Sequence, residues 1–511
     1  MRITLLLMGL LSTQAVLAQP KTPDPRPFAA SITEADLKNH LYIVAGAEME
    51  GRETATEGQR KAAAYIEQHF RNLGLKPGMA NGYQMAFPVY RDSLAGSRMV
   101  VNGKSLQVNA DFQPVMMFNH NQTQYFSEVV FVGHGIVDEG YDDYGAMDVH
   151  GKAVMLLEGA PSAYKPKVQG FNSPANTFAK VRNAQKKGAA AVLVVSGGFP
   201  RRALTASGNM YTELFRSSLP PNTFSISEQT ATLIAGSSFA AWKEKGKAEA
   251  LKPEVLNAET ELEFQKVTRF LESTNVLGVL EGTDKKDEYL VITAHYDHLG
   301  KRGDVIYYGA DDDGSGTVGV LEIAEAFVKA KQAGKGPRRS ILFMTVSGEE
   351  KGLWGSEYYS EHPTIGIEKI TANLNIDMIG RIDTERTKPD TLNYVYVVGD
   401  DKLSTELKPV SEAVNGKYLK MTLDYKFNDP NDKERIYFRS DHYNFARKGV
   451  PIIFYYDGML KADYHKATDT PDKINYPLLT KRARLVFHTA WEMVNRESML
   501  KRDLPLPTLE R

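Results

Sequence analysis

The sequence predicts an α/β protein, built on a mixed, mostly parallel sheet flanked by helices, with a smaller α+β unit inserted into it. Three observations carry that expectation. From about residue 263 onward, strand-type runs alternate with amphipathic stretches, the pattern of a sheet covered on both faces. Between about 95 and 255 the texture changes to short β-like runs separated by turn signals. At 511 residues the chain has room for about two to four domains, and its 42% hydrophobic and 24% charged content is that of an ordinary globular protein.

The N-terminus comes first. Met1-Arg2 is followed by the apolar run ITLLLMGLL and then by AVLAQP, which predicts a secretory signal peptide at 1–18, cut after Ala18. The apolar run is too short to span a membrane comfortably, so no membrane span is expected once the signal is cleaved. The chain has no cysteine. An exported protein of this kind folds on its core alone, and the combination suggests a bacterial periplasmic or secreted protein. Any metal site must be built from His, Asp and Glu. The net charge of −1 supplies no field for nucleic acid or anionic membrane. Nothing in the pattern reads out an oligomeric state.

The elements follow in order. Residues 19–30 are proline-rich. ITEADLKNHLYIVAG predicts a helix capped by Thr33, and TEGQRKAAAYIEQHFRNLGL predicts a second, with Ala62, Ala63, Ile66 and Phe70 at helical spacing and Gly74 ending it. RMVV, SLQVN, EVVFVGHGI and KAVMLLEG read as strands of the insertion. TFAKVRNAQKKGAAAVLVVSGG reads as a helix, a glycine stop and a buried strand. His134 and His150 stand alone there and read as structural or surface residues, because ligands come in clusters. NVLGVLEG, EYLVITAHYDHLG, RSILFMTVSGEE, ITANLNIDMIG, NYVYVVG and VPIIFYYDG read as strands of the main sheet, with helices at GTVGVLEIAEAFVKAK and LWGSEYYSEH. The expected domains are the leader at 1–18, a first part of the main domain at 19–94, the insertion at 95–258 and the remainder of the main domain at 259–505.

The chemistry gathers where those strands end. VITA runs into His295-Tyr296-Asp297-His298, ILFMTVSG into Glu349-Glu350 and ITANLNI into Asp377, while YYGADDDGSG makes a glycine-rich turn that opens a helix. A carboxylate at the end of a buried strand is costly unless it is paired or binds metal, and open α/β sheets place their sites at the carboxyl ends of strands. Imidazole and carboxylate suit zinc. Asp297 lies two residues from His295, on one strand face, where a carboxylate can take the second imidazole N–H. The adjacent pair Glu349-Glu350 makes sense if one binds metal and the other serves as a general base. His465, in ADYHKATDTPDKI after the strand VPIIFYY, is the candidate for a further ligand.

AHYDHLG, GADDDGSG, SGEEKGLWGS, NLNIDMIGR, the SDHYNF run at Ser440 to Phe445 and YHKATDT together resemble the co-catalytic double-zinc aminopeptidase family, which includes secreted bacterial leucine-type aminopeptidases, glutamate carboxypeptidase and the transferrin receptor ectodomain. EMEGRETATEGQRKAAAYI is similar to the family's N-terminal helices. Residues 128–197 resemble a protease-associated domain inserted in the peptidase domain, so the resemblance spans nearly all of the mature chain. It implies two Zn²⁺ per chain, a zinc-exopeptidase fold of the phosphorylase/hydrolase-like kind and a peptide substrate. Asp312 would bridge the ions, His295 and Asp377 would complete one site, and Glu350 and His465 the other. Asp297 would support His295, Glu349 would be the general base, and Tyr464 would donate to the oxyanion. A cis peptide is implied between Asp312 and Asp313, with Asp311 and Asp313 as supporting turn residues. Ser440, Asp441 and His442 would support the site from behind rather than bind metal.

The implied activity is that of an aminopeptidase. A carboxypeptidase or dipeptidase is the alternative, and it would need arginines for the substrate carboxylate; Arg381, Arg435 and Arg439 are the candidates. A non-enzymatic receptor-like protein on this fold is disfavoured by the presence of every matched ligand, and a one-zinc cyclase by the bridging pattern. Side-chain preference and the native metal, for which cobalt and manganese are alternatives, are not legible.

Overall fold

Two long strands, Gln84–Val101 and Thr260–Leu280, carry the boundaries between two units. Residues up to Phe87 together with Ser273 onward make the first unit, and Pro88–Glu272 make the second. The computed structural model describes residues 23–169, 173–200 and 202–507. The expected leader at 1–18 lies outside the described residues.

The first unit is organised by a central sheet. In chain order its main elements are α1 (Glu34–Val44), α2 (Glu57–Asn72), β1 (Thr260–Leu280, from Ser273 on), β2 (Lys285–His295), α3 (Gly316–Gln332), β3 (Arg339–Val346), β4 (Ile370–Ile376), β5 (Tyr394–Val398), β6 (Ile452–Tyr456) and α4 (Tyr476–Asn495). The strand order is β1-β3-β2-β4-β6-β5. β3, β2, β4 and β6 run parallel, and β1 and β5 flank them antiparallel. The central strands are buried along nearly their whole length, as parallel strands covered on both faces must be. Alternation sends Leu290, Ile292, Ile341, Phe343 and Leu374 into one core, with Phe327 of α3 and Trp491 of α4. Val291, Leu342 and Met344 face a second core built around Tyr359, Tyr437 and Phe454.

The expected helix signals appear as read. Thr33 Oγ1 accepts from the Asp36 N–H at 3.1 Å, capping α1. Gly74, just past α2, adopts φ +72°, a left-handed position that glycine takes without strain. The helices that the sequence did not announce include Leu407–Tyr418 and α4. α4 begins with an Asn475 cap and a proline in its first turn, and its charged residues interrupt the apolar pattern.

The second unit holds a six-stranded sheet of its own, in the order Glu254–Leu256, Val129–Phe131, Ala153–Leu157, Ala191–Val195, Asn222–Ile226, Phe112–Pro114. Its four inner strands are parallel and its two edges antiparallel. Helix Thr177–Lys186 is capped by Asn176. His134 is buried, with Nε2 donating to the Gly246 carbonyl at 3.0 Å, and His150 is exposed.

Candidate metal centre

Parallel pairing places the carboxyl ends of β2, β3 and β4 on one edge. His295 pairs with Val346, three residues before Glu349, and Thr293 pairs with Asn375, two before Asp377. The fourth contribution is the turn Ala310–Ser315, which opens α3. The peptide between Asp312 and Asp313 in that turn is cis.

The three successive aspartates do three different things. Asp313 accepts from the backbone N–H groups of His295 (3.2 Å), Gly316 (2.8 Å) and Met378 (3.0 Å), fastening the ends of β2 and β4 to the start of α3. Asp311 accepts from the Gly380 N–H at 2.8 Å. Asp469 takes the N–H groups of both Asp311 and Asp312. With its neighbours so engaged, Asp312 turns its carboxylate to the histidines: Oδ1 lies 3.2 Å from His295 Nε2 and Oδ2 lies 3.1 Å from His465 Nε2.

Two donor sets therefore share Asp312. In the first, His295 Nε2 also lies 3.5 Å from Asp377 Oδ1. In the second, Glu350 Oε2 lies 3.0 Å from His465 Nε2, and Glu350 Oε1 lies 2.8 Å from His298 Nδ1. Among the described residues, His295-Asp312-Asp377 and His298-Asp312-Glu350 are the groups whose ligand atoms converge closely enough to hold an ion. His295 Nε2, His298 Nδ1, Asp312 Oδ2 and Glu350 Oε1 are buried, yet none has a hydrogen-bonding partner among the described residues. Buried polar atoms normally do. Lone pairs that crowd together without hydrogen-bond geometry fit a pair of cations, so the residues present suit two Zn²⁺ ions.

The electrostatics agree. Burial works against charge on His295, but Asp377, Glu349 and Asp312 hold it protonated well above the ordinary imidazole range. His465 is likewise pushed up to about 10, against its burial, by Asp312 and Glu350. A field that holds extra protons on two imidazoles is one that a divalent cation would neutralise. Burial should raise Asp312, yet its contacts with His295 and His465 hold it well below the carboxylate range. Glu349 and Glu350 part company. Burial, with Asp377 and Glu350 nearby, drives Glu349 well above its usual value, whereas His298 and His465 take Glu350 below its own despite burial. Two adjacent carboxyls pushed apart in this way are suited to different tasks.

His295 Nδ1 lies 3.1 Å from the backbone carbonyl of Asp297 and 3.8 Å from its carboxylate. A tautomer with Nδ1–H donating to that carbonyl aims the Nε2 lone pair at Asp312 and Asp377. The Asp297 carboxylate instead accepts from Thr54 Oγ1 (2.7 Å) and from the Glu349 N–H (3.2 Å), tying the Glu349 turn to the end of β2. Glu349 Oε2 is 3.9 Å from His295 Nε2. Met378, next to Asp377, and His465 itself have φ of +59° and +56°, unusual for side chains and often found where function imposes the conformation.

A pocket opens beside Asp312, Glu349 and Asp377, lined by Ile436, Phe454, Tyr456, Leu460, Arg439 and Tyr464. Arg439 Nη2 donates to the Tyr464 hydroxyl at 3.1 Å. Arg381 is engaged elsewhere, 2.8 Å from Asp463, and Arg435 does not line this pocket. Behind the site Ser440 Oγ accepts from Asn375 Nδ2 at 2.8 Å, Asp441 accepts from Ser356, and His442 donates to the Tyr437 carbonyl at 2.8 Å. The sequence alone assigned no role to several residues at the site, among them Thr54, Asp469, His298 and Arg52. His298 was visible in AHYDH but is one residue off the His295-Asp297 alternation. Arg52 is fully buried and donates to the carbonyls of Val44, Tyr296, Tyr308 and Gly309, which only the folded chain brings together. Hollows of about 390 and 410 Å³ in the second unit are roomier, but the converging ligand sets among the described residues are in the first.

Comparisons with known proteins bear on this architecture. Residues 275–490 match the model of peptidase family M28. A probable leucine aminopeptidase of Arthroderma otae is 29% identical over 235 residues, 45% of this chain and 60% of that protein. A probable zinc metalloprotease of Pyrenophora tritici-repentis is 27% identical over 212 residues, 36% of this chain and 41% of that protein. The chain thus spans about three fifths or less of the length of these curated relatives. Among solved structures, an aminopeptidase from Aneurinibacillus sp. strain AM-1 superposes with a TM-score of 0.57 at 20% identity, covering 95% of this chain and 99% of that one. A zinc aminopeptidase from Bacillus subtilis gives 0.52 at 19% identity, covering 93% and 99%; both likenesses are of fold. The strand ends and the turn that carry His295, Asp312, Glu350 and Asp377, and the segment that carries His465, all fall within residues 275–490, the stretch that is similar to peptidase family M28.

Proposed function

We propose that this chain is a zinc-dependent exopeptidase that releases N-terminal residues from peptides. The observation that carries the reading is the sharing of Asp312 between two converging donor sets, with the carboxyl of Glu349 beside them. His295, Asp312 and Asp377 would hold one ion, and Asp312, Glu350 and His465 the other. Two such ions supply Lewis acidity for a carbonyl and acidify water. Glu349, raised by burial, is suited to take the proton of the attacking water and return it to the leaving amine. Asp297 holds the Glu349 turn in place. Tyr464, whose hydroxyl is kept neutral by burial, faces the same pocket and would donate to the oxyanion. The apolar and aromatic wall would receive the side chain of the residue released.

On the same reading the leader at 1–18 directs export to the periplasm or medium, and the insertion at 95–258 is a protease-associated domain that supplies no ligand. One observation favours a second reading. Arg439 lines the pocket and could hold a substrate carboxylate, as a carboxypeptidase or dipeptidase requires.

A peptide panel separates the two. Zinc-loaded protein beginning at Gln19 is given each peptide with a free or acetylated N-terminus and a free or amidated C-terminus, alongside a chelated control. Zinc-dependent release of the first residue, abolished by acetylation, is the expected result. Cleavage that tolerates acetylation but needs the free carboxylate would replace it with the carboxypeptidase reading.

A further inference from the structure

His298 lies outside the five ligands assigned above, yet it is built into the same centre. Its side chain is fully buried. Nδ1 lies 2.8 Å from Glu350 Oε1 and 3.9 Å from Asp312 Oδ2, and neither ring nitrogen has a hydrogen-bonding partner among the described residues. The carboxylate of Glu350 thus lies between two imidazoles, with its other oxygen 3.0 Å from His465 Nε2. A histidine that merely filled core would be expected to satisfy at least one nitrogen.

The ring is also fixed in place. Gly309, at φ +56°, packs directly on it: a Cβ at that position would come within 2.4 Å of His298 Cγ. The glycine ahead of the three aspartates is therefore what admits the imidazole.

Tetrahedral ligands at about 2.0–2.2 Å from zinc stand roughly 3.3–3.6 Å from one another. The separations here, 2.8, 3.0, 3.1 and 3.9 Å, straddle that spacing. The geometry points to His298 as a fourth protein ligand of the ion held by Asp312, Glu350 and His465. That site is then closed by four side chains, whereas the site of His295, Asp312 and Asp377 has three. Closed sites retain metal and three-ligand sites keep a position for water or substrate. The two ions are accordingly unequal: the His298 ion is the tightly held one, and the His295 ion is the exchangeable one.

This inference rests on the two-metal reading, and its test does not use activity. The full-length wild type and the His298→Gln and His298→Ala variants are loaded with Zn²⁺, dialysed against graded chelator and followed by metal content, with X-ray absorption at the zinc edge. Wild type should bind two ions that leave at distinct chelator strengths. Either substitution should weaken the tighter ion by at least about tenfold and remove one imidazole per chain from the absorption signal. Unchanged affinity and scattering would overturn the assignment. So would weakened affinity with full imidazole scattering, because His298 would then act only through Glu350. If the variants fail to fold, the wild-type signal still decides: three imidazoles per ion pair support the inference, and two overturn it. A wild type that binds no zinc would instead refute the two-metal reading itself.

Discussion

Glu349 and Glu350 are neighbours in the chain, yet the fold gives them opposite surroundings. Glu350 lies against His298 and His465 and is held ionised. Glu349 is pushed upward by burial and by the carboxylates around it. A group that exchanges protons, and does not need to hold metal, tolerates loss of charge without loss of the ions. On the proposed reading, Glu349→Gln should retain the wild-type zinc content and lower kcat by about 10²–10⁴-fold. Metal analysis together with steady-state kinetics checks this, and wild-type turnover in the variant would remove Glu349 from the proton-transfer role. The difference between the two residues could be anticipated from their adjacency, because two bare carboxylates side by side are costly. Which one faces the histidines follows from the turn after Gly348, at φ +82°.

The strands and loops of the edge depend on a residue that binds nothing catalytic. Arg52 ends a short helical segment, Ala47–Arg52, ahead of α2 and is buried deeply enough to lower its pKa to about 10. Its guanidinium donates to Tyr296 at the end of β2, to Tyr308 and Gly309 ahead of the aspartates, and to Val44 at the end of α1. Removing it leaves buried carbonyls without donors, each costing about 1–3 kcal/mol. Arg52→Met should destabilise the protein by at least about 3 kcal/mol in urea unfolding, and a change below about 1 kcal/mol would show that the loops are held by other means. The strands themselves were legible because their two-sided burial demands unbroken apolar runs such as ILFMTV and ITANLNI. α4 was not, because Arg482 interrupts its apolar stripe while being buried against the carbonyls of Ile379, Arg381 and Tyr394.

At the level of the entire chain, stability rests on its cores, since there is no cysteine to cross-link them, and on buried groups that must stay uncharged. His442 is the clearest of these. Burial lowers it to about 3, with Nε2–H donated to Tyr437 and the ring stacked on Phe454 at 4.7 Å. Above the ordinary imidazole value near 6.5 both folded and unfolded states are neutral and nothing is lost. As the pH falls from 6.5 toward 3, the unfolded chain takes up a proton that the folded one refuses, and stability declines across that window. A His442→Gln variant, which can still donate to Tyr437, should lose less stability than wild type between pH 7 and pH 5, by about 2 kcal/mol. Equal losses in the two proteins would mean that His442 is accessible to protons in the native state. Among the described residues no helix is long and apolar enough to cross a membrane.

Local order of residues was enough to announce the α/β alternation, the helix caps and the set of acids and imidazoles at strand ends, because burial period, capping and the cost of a buried carboxylate all act over a few neighbours. Those terms also grouped the triple aspartate, in its glycine-rich turn at the head of a helix, with the acids at the strand ends. They could not assign its members, since Asp311, Asp312 and Asp313 differ only in what faces them: Gly380, the histidines, and the ends of β2 and β4. Nor could they bring His298 against Glu350, or Arg52 under four carbonyls. Those encounters join segments far apart in the chain, and their energies exist only once the sheet has brought its strand ends to one edge.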